Sequence, residues 1–143
     1  MKKTLTVIVA VMFTAVSVFA GSNKNYPRVD TSDFKPIEYD GGVIQTGYQQ
    51  DANGDLVYTY RLPHSKEEII KFAGNLHNYI EVVKGICVAS INDLVESMPD
   101  HVEIRLFTKH KKTWHYLYYD RNGKFIGKFG IDKSILDEDF IDH

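Results

Sequence analysis

With one cysteine among 143 residues, Cys87, the chain has no means of closing an internal disulfide, so its fold rests on packing alone. Proline and glycine are sparse, at 4 and 10 residues, which excludes collagen-like and linker-like chains. An excess of either charge is also missing: 17 Lys and Arg stand against 19 Asp and Glu. A nucleic-acid-binding domain normally carries a basic footprint for phosphate, so no nucleic-acid partner is expected. Close ligand spacings are absent as well. The six histidines, His64, His77, His101, His110, His115 and His143, form no H-E-x-x-H motif, and there is no G-x-S-x-G elbow or glycine-rich phosphate loop. Asp51-Ala52-Asn53-Gly54-Asp55 begins like a calcium loop, but its glycine stands fourth rather than sixth and Leu62 occupies the position of the closing glutamate. It reads as a hairpin turn. No catalytic residue, metal or cofactor is expected, and Cys87, set in an apolar run, reads as a buried inert thiol.

What the chain does have begins at its first residues. Lys2 and Lys3 precede an apolar run from Leu5 to Phe19 broken only by Thr and Ser, and no acidic residue occurs before Asp30. Val18-Phe19-Ala20 supplies small residues at both positions that a signal peptidase reads. The expectation is a signal peptide over residues 1–20, of bacterial type, giving a periplasmic or secreted product with no stable membrane span after cleavage. Loss of Lys2 and Lys3 moves the formal charge from −2 to −4. A mildly acidic exported domain suits a basic protein partner.

Residues 21–41 show no period and read as an extended arm or linker, followed by a single α+β domain over residues 42–143. A β-hairpin is expected from Val43 to Gln49 and from Leu56 to Leu62 around the Asn53-Gly54 turn. Ser65-Lys66-Glu67-Glu68 has the form of a capping box. Ile69, Phe72, Ala73, Leu76, Ile80 and Val83 then form one apolar stripe of a main amphipathic helix ending near Gly85, with a short second helix from Ile91 to Met98. From His101 the period changes to two, which predicts a C-terminal three-stranded antiparallel meander with turns at His110-Lys111-Lys112 and Asp120-Arg121-Asn122-Gly123. Asp132 onward is an acidic tail with the spacing of a short terminal helix.

Turn register assigns one side of this meander to the core: Ile104, Leu106, Leu117, Tyr119, Phe125, Phe129 and Ile131. The other side holds Arg105, Phe107, Lys109, Trp114, Tyr116, Tyr118, Ile126 and Lys128. Rings interleaved with cations are a composition of recognition surfaces. Arg105, Phe107, Lys109, Trp114, Tyr116, Tyr118 and Lys128 are therefore the candidate partner-binding residues, with a second packing layer or a homodimer interface as the competing uses of that face. These features point to a small exported protein-binding domain, an inhibitor or immunity protein that neutralises a cell-wall hydrolase or toxin. An exported hydrolase using His64, His77, His101 or His110 as its base, or an envelope assembly factor, is the alternative.

Overall fold

The computed structural model describes residues 26–135 and the backbone of strand β1 (Ser17–Val18). The rest of the expected signal peptide and the acidic tail beyond residue 135 lie outside the described residues. The fold is α+β. Strand β2 (Val29–Asp30) pairs with β1, and a five-stranded sheet runs in the order β3 (Ile37–Glu38), β4 (Ile44–Gln50), β5 (Leu56–Arg61), β6 (Trp114–Tyr119), β7 (Phe125–Ile131). All neighbours in this sheet are antiparallel except β5 and β6, which are parallel. Parallel neighbours cannot be joined by a tight turn. Helices α1 (Lys66–Ala73), α2 (Leu76–Ser97) and α3 (Val102–Thr108) form the connection.

The expected hairpin is present as β4 and β5. Asp51 Oδ1 accepts the amides of Asn53 and Asp55 at 2.9 and 3.0 Å, and Gly54 takes a φ of +92° that disfavours a side chain. The capping box is present too: Ser65 Oγ accepts the Glu68 amide at 3.1 Å, while Glu68 Oε1 accepts the Ser65 amide at 2.9 Å.

The helical register departs from expectation at two glycines. The chain breaks at Gly74, with φ +92°, and Asn75 recaps it by accepting the Asn78 amide at 2.7 Å. Helix α2 then runs for 22 residues through Gly85, which was expected to stop it, and absorbs both the Ile86–Ala89 stretch and the expected second helix. An exposed helical glycine is only a weak breaker, and the stripe of Tyr79, Ile80, Val83, Cys87 and Ile91 continues across it.

The first strand of the expected meander is α3. Val102 to Phe107 alternates in hydropathy, yet Glu103, Ile104, Leu106 and Phe107 are the buried positions, a helical spacing. Strands β6 and β7 form as expected, and Tyr119 does face Phe125, but a bulge at Tyr118/Tyr119 shifts the remaining pairs by one. Leu117 therefore faces Lys128 and His115 faces Gly130, each one residue beyond where an unbulged ladder counted from Tyr119 and Phe125 would put its partner. Because side chains alternate along a strand, one inserted residue exchanges the two faces beyond it.

Ile104, Leu106 and Ile131 are buried as expected, but the two sides of β6 are exchanged. Leu56, Tyr58, Tyr60, Trp114, Tyr116 and Tyr118 face the helices and are buried. Tyr48, Tyr58, Tyr116 and Phe129 stand in register on four adjacent strands, with successive ring centroids 5.4, 5.4 and 5.1 Å apart. Tyr60 and Tyr118 form a second cross-strand pair at 5.2 Å. Such pairs contribute about 0.5–1.5 kcal/mol each beyond the area they bury. Helix α2 lies directly over β7, where a Cβ on Gly127 would meet Ile80 at 2.6 Å.

Candidate functional site

The seven residues expected to bind a partner are dispersed by the fold. Trp114, Tyr116, Tyr118 and Phe107 have at most 1% of their surface exposed, so these rings offer a partner nothing. Phe107 of α3 closes against Trp114 at a centroid distance of 5.2 Å. Arg105 and Lys109 are exposed at α3, and Lys128 is exposed on the other side of the sheet. The expected recognition face is the inner layer of the core, because a helix replaced the strand that would have left it open.

The side of the sheet turned away from the helices carries Val57, Thr59 and Arg61 from β5, His115, Leu117 and Tyr119 from β6, and Phe125 and Lys128 from β7. Val57, Leu117 and Tyr119 are half-buried and Phe125 is 47% exposed. Tyr119 and Phe125 meet edge to face at 5.5 Å. Leu117, Tyr119 and Phe125 had been assigned to the core. Val57, Leu117 and Lys128 line a depression of about 540 Å³ with Asp51, His115, Phe129 and Gly130.

At the rim of that depression, the β4–β5 turn meets β6. Asp55 Oδ1 accepts the Thr113 amide at 2.9 Å, and Asp55 Oδ2 lies 3.1 Å from His115 Nε2. Asp51 joins them, and one ligand-type atom from each of the three residues lies within 4.8 Å of the others. No other such group of three occurs among the described residues. The turn is braced from outside: Arg28 donates to the Asp51 carbonyl at 2.9 Å, Tyr26 Oη donates to the Ala52 carbonyl at 3.1 Å, and Lys112 caps the Tyr26 ring 4.2 Å from its centroid. A Cβ on Gly130 would meet Thr113 Cγ2 at 3.0 Å and stand in ordinary contact with His115 Nδ1 at 3.4 Å.

A second concentration of ionisable groups is sealed inside. Glu103 of α3 is wholly buried and its Oε2 accepts the hydroxyls of Tyr48 and, at 3.2 Å, Tyr58. Burial pushes its carboxyl up to about 7, against the opposing pull of those two hydroxyls. Burial likewise pushes the Cys87 thiol up to about 12, which keeps it protonated and unreactive. The histidines considered as bases stand on separate elements: His64 precedes α1 beside Phe72, His77 is exposed on α2, His101 caps α3 and His110 follows it.

Asp120 links two elements. Its fully buried carboxylate accepts the Lys66 amide at the start of α1 at 2.7 Å and the amides of Asn122 and Lys124 at 2.8 Å each. Burial alone would raise its carboxyl; the amides of Lys124, Lys66 and Asn122 outweigh that and hold it below the usual range. Its role is to dock the β6–β7 turn on the helix.

No family model, curated protein or solved structure matches the chain. Among the described residues, no helix is long and apolar enough to cross a membrane.

Proposed function

We propose that this is a small exported protein-binding domain, an inhibitor or immunity protein that neutralises a cell-wall hydrolase or toxin, and that it binds through the solvent side of the sheet. The leader-like residues 1–20 support export, and the mild acidity of the remainder suits a basic enzyme as partner. The observation that carries the reading is the row Leu117, Tyr119 and Phe125, with Arg61 and Lys128 beside it, while all three helices stand on the opposite side. Apolar rings flanked by cations on a rigid strand surface contribute contact area at little entropic cost.

The test is inhibition and capture together. The protein without residues 1–20 should lower the lytic activity of an envelope extract and retain one hydrolase or toxin on a column. The double substitution Tyr119→Ser with Phe125→Ser should weaken capture by about 2 kcal/mol or more while the melting temperature stays within a few degrees. Unchanged capture by that variant overturns the assignment of the face. Absence of any inhibited or retained hydrolase or toxin overturns the function.

A further inference from the structure

We propose that Asp51, Asp55 and His115 form a binding site for a divalent transition-metal ion, with zinc the best match to two carboxylates and one imidazole. Three features of the fold argue for it. The donors come from both sides of the parallel seam, since the turn preceding β5 supplies the carboxylates and β6 supplies the imidazole. Each carboxylate has one oxygen committed to backbone amides, Asp51 Oδ1 to Asn53 and Asp55, and Asp55 Oδ1 to Thr113. Asp55 Oδ2 already stands 3.1 Å from His115 Nε2, and the amide bonds restrain both carboxylates, which is the kind of support that ligating carboxylates ordinarily have. Finally, one donor atom from each of the three residues already lies within 4.8 Å of the others, and the residues are only partly exposed.

The donor types select among metals. Calcium and magnesium favour all-oxygen shells, whereas imidazole with carboxylates suits zinc and its first-row neighbours. Two carboxylates and a neutral imidazole also offset the ion's double charge. Three protein ligands would leave one tetrahedral position for water or another donor, and Asp51 and His115 also line the depression shared with Val57, Leu117 and Lys128. This site is independent of the docking proposal, because it holds whether or not a protein covers the sheet.

Calorimetric titration with zinc chloride, using protein without residues 1–20 and with no affinity tag, should show saturable binding of one ion, accompanied by a rise in melting temperature. His115→Gln, Asp51→Asn and Asp55→Asn should each weaken that binding about tenfold or more, and the asparagines retain the acceptor that the turn amides need. Cobalt substitution reports the geometry separately, through the intense visible absorption of a tetrahedral site. Absence of saturable binding at 100-fold excess zinc overturns the proposal. Binding of equal strength in all three variants also overturns it, by placing the ion at other histidines.

Discussion

Glu103 is a carboxylic acid sealed in an aromatic core, and its consequence is a pH dependence of unusual sign. Its folded-state carboxyl titrates near 7, above an ordinary value near 4.5. At this residue the folded protein therefore binds more protons than the unfolded chain across that interval, and its contribution to stability is greatest below about 4.5 and is lost as pH rises through 7. A displacement of that size corresponds to up to about 3 kcal/mol. Urea unfolding of the protein and of Glu103→Gln between pH 4.5 and 7.5 should show that decline as the difference between the two profiles; identical pH dependence in both would refute the assignment. The lowered carboxyls of Asp120 and Glu68 act below their ordinary values, whereas burial holds the His101 imidazole below its usual range and adds stability as pH rises through the same interval, so the Glu103 contribution is read as the difference between the protein and its Glu103→Gln variant. Nothing in the residue pattern announced Glu103, because a single acidic residue between apolar neighbours reads as a solvent face in a strand and as a core position in a short helix. Cys87 was legible, since an apolar run around a thiol is itself the signal of burial.

Two glycines on facing elements make a paired test of the packing. Gly85 lies within α2 with nothing inside 4 Å of where its Cβ would be, so Gly85→Ala should stabilise the protein by about 1 kcal/mol through helix propensity. Gly127 has Ile80 at 2.6 Å, so Gly127→Ala must push α2 off the sheet or distort the strand, at a cost of about 1–3 kcal/mol. Chemical denaturation of both variants decides it, and equal effects would mean that α2 is not seated on β7 as described. The elements themselves were read with uneven success for physical reasons. Asp51 to Gly54 and Ser65 to Glu68 act through hydrogen bonds within a few residues, so their sequence specifies them. The identity of Val102 to Phe107 depends on a crossover that sets which side must be buried, and the bulge at Tyr118/Tyr119 leaves no compositional mark. Neither is local information. The same limit hid the approach of His115 to Asp55, 60 positions apart in the chain, which only the β5–β6 pairing creates.

At the scale of the molecule, the parallel seam joins an N-terminal hairpin to a C-terminal one, and the inner rings of both form one continuous layer under the helices. Neither hairpin has a core without the other. A chain cut after Thr113 keeps β4, β5 and all three helices but loses Trp114, Tyr116 and Tyr118, and should show no cooperative thermal transition in circular dichroism. A sharp melting curve from that fragment would show that the first part stands alone. The fold class was legible from the mixture of periods, while the order of strands was not, because helix and strand patterns alone do not say which edges meet. The seam also sets the timetable of folding during synthesis. Until the ribosome has delivered Tyr119, β5 has an empty edge and the helices have half a surface to rest on. The inner aromatic layer is therefore completed last, by the strands nearest the C-terminal end of the described residues.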